Sequence, residues 1–214
     1  MALRGKNKRT ERSKLDATPP WDDRVREPVP ETTGPYDELD APDDDVQRAD
    51  LGALRVPVGA GLDLRLEVNE QQQVIAVTLA ANDGSMQLGV YAAPRTEGIW
   101  DDVRAEIAES MKEQKGVPKE RADGAFGVEL TGTVPGDGGR LPARFIGIDG
   151  PRWFLRAMLV GAPADPARAA RYEDLLRNVV VVRGAEPLPV RDPVPLRLPK
   201  EVVLPAPEDV IGES

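Results

Sequence analysis

The chain of 214 residues contains neither cysteine nor histidine. Disulfide frameworks, cysteine nucleophiles, Cys/His zinc sites, a histidine general base and a Ser-His-Asp triad are therefore all excluded. Aromatic residues make up only 4% of the chain. It also lacks any apolar run of the roughly 18 residues that a membrane-spanning helix needs. The basic start, MALRGKNKRTERSKL, is not followed by the apolar stretch of a secretory signal, so a cytoplasmic protein is expected. What is present is acidic: 28 Lys and Arg against 37 Asp and Glu, a formal charge of −9, with 40% hydrophobic residues. That length and composition suit one domain with sizeable tails.

The charge is unevenly spread. Residues 1–14 carry six bases (Arg4, Lys6, Lys8, Arg9, Arg12, Lys14) against Glu11, whereas residues 15–50 carry twelve acids against Arg24, Arg26 and Arg48. Such segments bury too little apolar surface to offset the entropy of ordering, so residues 1–50 are expected to be a disordered basic arm followed by an acidic segment. Tyr36, Leu39, Val46 and Leu51 are spaced apolar points among the carboxylates, able to dock on the protein's own domain or on a partner. The basic arm could approach nucleic acid, but the acidic stretch beside it would repel phosphate and argues against a dedicated nucleic-acid binder.

From residue 51 the pattern is that of a folded domain, expected to run over 51–184. Leu62, Leu64, Leu66 and Val68 alternate with charged residues, QVIAVTLAA reads as a central strand, and Asn82-Asp83-Gly84-Ser85 reads as a turn into Met86, Leu88 and Val90. Trp100, Val103, Ile107 and Met111 recur at helical spacing, with Thr96 as the expected N-cap. Further strands follow. LPARFIGI and PRWFLRAMLV are expected to form a hairpin through Asp149-Gly150. Asp165-Pro166 opens a second helix, and VVVVRG closes the domain as a short buried strand. Seven prolines after Gly184 make residues 185–214 a Pro-rich extended strap and loose tail. The expected fold is α+β: a largely antiparallel sheet with two main helices packed on it.

The segments YDELDAPDDDVQRADLGALRVPV, APRTEGIWDDVRAEI, PARFIGIDGPRWFLRA and VVVVRGAEPLPVRDPVPLRLP together resemble an actinobacterial family known only as a domain of unknown function. The resemblance covers roughly residues 36–199. It implies an intracellular setting and no activity, cofactor or catalytic residue. At the level of element order alone, the chain is similar to the PsbP-like α/β sandwich, whose members mostly bind partners.

The hairpin GPRWFLR is the foremost candidate site. With a turn at Asp149-Gly150, Arg152, Phe154, Arg156 and Phe145 share one sheet face, while Arg144, Ile146, Trp153 and Leu155 share the other. A basic-aromatic shelf of this kind could take a carboxylate, a phosphate or the protein's own acidic segment. The alternative is that the aromatics are core and the arginines lie along it, heads out, paired with nearby acids. Arg95 stands beside a helix N-terminus, a place attractive to anions, although Glu97 is already there. Asp43-Asp44-Asp45 lacks the spaced ligands and glycine of a calcium loop, Asp101 of the Asp101-Asp102 pair is expected to pair with Arg104, and no metal or cofactor is expected. The favoured reading is a non-catalytic interaction module with a protein partner. The alternatives are an anion or small-molecule binder, including an unusual enzyme, using Arg95, Arg144, Arg152, Phe154 and Arg156, and nucleic-acid association through the basic arm.

Overall fold

Alternation and helical periodicity place eleven strands and two helices in the computed structural model, which describes residues 34–59, 61–136 and 138–198. The expected basic arm, the acidic segment up to residue 33 and the tail from 199 lie outside the described residues. The strands are β1 (Tyr36–Asp37), β2 (Arg48–Asp50), β3 (Leu54–Pro57), β4 (Asp63–Val68), β5 (Val74–Ala81) and β6 (Gly84–Ala92). After α1 (Trp100–Glu113) come β7 (Lys119–Gly124), β8 (Gly127–Gly136), β9 (Gly139–Gly150) and β10 (Trp153–Gly161), then α2 (Ala170–Arg177) and β11 (Val180–Val181). Seven strands form an antiparallel sheet in the order β4-β5-β6-β10-β9-β8-β7, and four form a smaller sheet, β1-β11-β3-β2. In the small sheet only β1 and β11 run parallel. The fold is thus α+β and mostly antiparallel, with two helices.

Because side chains alternate across a strand, β10 feeds two cores. Trp153, Leu155, Ala157 and Leu159 join Leu54 and Val56 of β3 and Tyr172, Leu175 and Leu176 of α2. On the opposite face Phe154 packs with Trp100 and Met111 of α1 and with Phe145 of β9. The large sheet is therefore the middle layer, between α1 on one face and the small sheet with α2 on the other. Trp100 anchors α1: it is 7% exposed, its ring lies 5.9 Å from that of Phe154, and its indole N–H donates to the Val128 carbonyl at 2.7 Å. A Cβ on Gly147 would come within 2.2 Å of the Trp100 ring, so β9 leaves that space bare for the indole.

The ordered domain starts earlier than composition indicates. Residues 36–37 and 48–50, within the stretch expected to be disordered, form β1 and β2 on opposite edges of the small sheet. The chain between them wraps from one edge to the other. Tyr36 N–H donates to the Val179 carbonyl at 2.9 Å, and Leu51 is fully buried, so a few long-range ladder bonds and apolar anchors offset the ordering entropy. The Pro-rich strap also docks as read. Val194 N–H donates to the Val90 carbonyl and Leu196 N–H to the Val74 carbonyl, and both side chains are buried.

Candidate functional site

The hairpin turns two residues later than its Asp-Gly pair suggests. Trp153 lies opposite Gly150, and Leu155 opposite Ile148. The turn residues are Pro151 and Arg152, with Arg152 at φ +65°, the φ sign a type II turn requires after a proline. Proline fixes φ at the first turn position, and here that outweighs the tolerance of Asp-Gly for positive φ. Relative to the expected pairing the register moves by four positions, an even number, so each residue keeps its expected sheet face.

Faces alone do not make a shelf. Phe154 is 1% exposed beneath α1, with Phe145 buried in the same cluster. Arg156, half-buried, lies with its guanidinium 5.2 Å from the centre of the Tyr91 ring. Arg152 belongs to the turn rather than to the face. Arg95 is exposed on the loop ahead of α1, and Arg144 is fully buried on the opposite side of the sheet. The structure thus distributes these five residues over separate surroundings and does not gather them on one surface.

Arg144 is the centre of an ionic network instead. Its Nε approaches Glu129 Oε2 to 3.0 Å, its Nη2 donates to Glu129 Oε1 at 3.3 Å, and Nη2 also bonds Glu173 of α2. Glu129 is itself completely buried, with Arg121 at 3.8 Å, and Arg177 stands 3.7 Å from Glu173. Three arginines and two glutamates alternate, joining β7, β8, β9 and α2. Burial pushes the Glu129 carboxyl up, against the pull of Arg144 and Arg121. Arg144 Nη1 has no hydrogen-bond partner among the described residues. Arg144 is paired with acids, as the sequence alternative has it, but its head is buried rather than turned out to solvent.

The start of α1 is closed from elsewhere in the chain. The helix begins at Trp100, beyond Thr96, and no side chain of its own first turn caps it. Asp149 of β9 supplies the carboxylate: Ile99 N–H donates to its Oδ1 at 2.7 Å and Trp100 N–H to its Oδ2 at 3.3 Å. The expected Thr96 cap is corrected accordingly. The groups that would attract an anion beside Arg95 already hold a carboxylate.

Asp37 does similar double work on the other side of the sheet. Its Oδ2 accepts from the indole N–H of Trp153 at 2.7 Å, and its Oδ1 accepts from Leu39 N–H at 3.1 Å, capping a single 3-10 turn over Glu38–Asp40. Beyond it, Glu38 pairs with Arg55 at 2.9 Å and Asp44 with Arg48 at 2.7 Å. The acidic segment therefore does dock on its own domain, through Asp37 on Trp153, Glu38 on Arg55 and its own Arg48, whose Nε donates to the Asn178 carbonyl at 2.8 Å, rather than through Arg152 and Arg156. Leu39, at the tip of the turn, is 92% exposed. Sequence reasoning singled out Leu39 but missed Asp37.

Among the described residues no three acidic side chains are placed to hold a metal ion, and no helix is long and apolar enough to cross a membrane. The chain belongs to the family described as protein of unknown function (DUF3710), whose model matches residues 34–204. No curated protein matches the chain.

Proposed function

We propose that this member of the family is a non-catalytic protein-interaction module that presents its acidic wrap to a partner with a basic, apolar-lined surface. The observation that carries this reading is Leu39, 92% exposed on a turn whose backbone is fixed by Asp37 and, through Asp37, by a buried tryptophan. A residue whose backbone is already fixed loses less entropy on binding, which favours Leu39 as an anchor. Asp40, Asp43 and Asp45, the acids that follow it in the chain, are exposed and outside the ion pairs formed among the described residues, and would steer a basic partner towards this segment. Scattered exposed apolar residues are ordinary on any surface; what distinguishes Leu39 is the capped backbone turn and its place in an acidic segment. The same reading places the protein in the cytoplasm, in keeping with a chain that has no cysteine for disulfides.

The test is comparative recovery of partners on the tagged full chain from its own cells. A protein retained by the wild type and by Val117→Ser, a change at another residue exposed by 81%, but lost from Leu39→Ser, supports the wrap as the contact surface. Equal recovery on all three chains contradicts it. Recovery abolished by ribonuclease favours nucleic-acid association instead.

A further inference from the structure

Most arginines with a defined partner in this fold sit against carboxylates: Arg48 on Asp44, Arg55 on Glu38, Arg104 on Asp101 and Glu120, Arg191 on Asp102 and Glu106. One hollow departs from that pattern. It has a volume of about 300 Å³ and lies where the chain entering β3, the chain leaving β11 and the Pro-rich strap meet. Arg183 and Arg197 line it, together with Ala53, Val182, Leu188 and Val194.

Both arginines are positioned by neutral groups. Arg183 Nε donates to the Arg152 carbonyl at 3.1 Å and Nη1 to the Glu186 carbonyl at 3.0 Å. Arg197 N–H donates to the Leu51 carbonyl at 2.7 Å, and its side-chain stem crosses Gly52, where a Cβ would stand 3.2 Å from its Cγ. Gly52 has φ +81°, so a glycine there both supplies the backbone turn and leaves room for the stem. Among the described residues no carboxylate forms an ion pair with Arg152, Arg183 or Arg197; Glu186 is the one acid on the lining. Burial, and then the neighbouring Arg152 guanidinium, hold the Arg183 pKa below the usual arginine value. In a chain whose acids outnumber its bases 37 to 28, an arginine set left without an ion pair at a concave surface is a standing positive potential.

We propose that this hollow binds a small organic anion, with its oxyanion head on Arg183 and Arg197 and its apolar body against Ala53, Val182, Leu188 and Val194. A guanidinium fork suits both carboxylate and phosphate oxygens, and the aliphatic lining offers a place for a short hydrocarbon body. Arg152 adds charge from the hairpin turn without lining the hollow itself. This anion site does not rest on the protein-partner reading of the wrap.

The full chain is titrated by calorimetry with octanoate and separately with inorganic phosphate. Binding of either probe that weakens by about tenfold or more in Arg197→Gln, and is unchanged in Arg95→Gln, establishes the site. Octanoate alone identifies a carboxylate head, and phosphate alone a phosphate ester. Arg183→Gln should weaken binding similarly; should that variant fail to fold, Arg197→Gln decides, since the Arg197 side chain makes no hydrogen bond among the described residues. No binding of either probe at millimolar concentration overturns the proposal, as does binding that Arg197→Gln leaves intact.

Discussion

The Trp153 indole, buried in the larger core, donates its N–H at 2.7 Å to Asp37, a residue 116 positions earlier in the acidic segment. One carboxylate thereby satisfies a buried donor and, through its other oxygen, fixes the turn that carries Leu39. Removing it leaves the indole N–H of a residue only 2% exposed without its acceptor. Asp37→Ala should cost about 1–3 kcal/mol in urea unfolding, where loss of an exposed surface charge would cost almost nothing. Trp153 fluorescence should shift in the same variant while the helical circular dichroism is retained.

Asp149 makes a second prediction. Its carboxylate accepts from the first backbone donors of α1. Asp149→Ala should destabilise the fold by about 1 kcal/mol or somewhat more, the usual cost of a lost cap. Thr96→Ala should be neutral, because Thr96 is exposed and lies ahead of the helix. Paired thermal melts of the two variants check this.

Gly147 and Trp100 make the third. Any side chain at position 147 meets the indole, so Gly147→Ala forces α1 away from the sheet and should cost about 1–3 kcal/mol. Trp100→Ala should cost about 3–5 kcal/mol. The two effects should not add, since both act on one contact; a double-mutant cycle measures this.

The buried network around Arg144 makes the fourth. Arg144→Met leaves Glu129 and Glu173 facing each other with Arg121 and Arg177 only at the margins, and should cost about 3–5 kcal/mol at neutral pH. Burial already raises the Glu129 pKa, and losing Arg144 raises it further. A carboxyl whose folded pKa lies above its unfolded value stabilises the fold most below the unfolded pKa, and that stability is lost as pH rises through the folded one. The penalty of Arg144→Met should therefore shrink as the pH falls into the carboxylate range. Urea unfolding at neutral pH and near pH 4.5 reads the sign.

What the sequence disclosed follows from how local each signal is. The α1 stripe was legible because Trp100, Val103, Ile107 and Met111 carry it within four turns, and all but its cap came through. The hairpin was legible as a hairpin, but two competing turn signals, Asp149-Gly150 and Pro151-Arg152, stood side by side, and only the structure shows that the proline prevails. The wrap was hidden because its stabilising bond joins residues 37 and 153 and its strands are two and three residues long. Arg183 was hidden for the same reason: the hollow it lines is assembled from residues 52–53, 182–188 and 194–197, none of which marks the others in sequence.

The central claim is that the fixed acidic wrap, tipped by Leu39, is the surface a partner meets. The most direct measurement is site-specific photocrosslinking in living cells, with a photoreactive amino acid replacing Leu39 in one chain and Val117 in another. The account predicts a defined crosslinked protein from position 39, lost when Asp37→Ala releases the turn, and absent from position 117. Identical adducts from both positions, or none from position 39 while position 117 captures a protein, would contradict it.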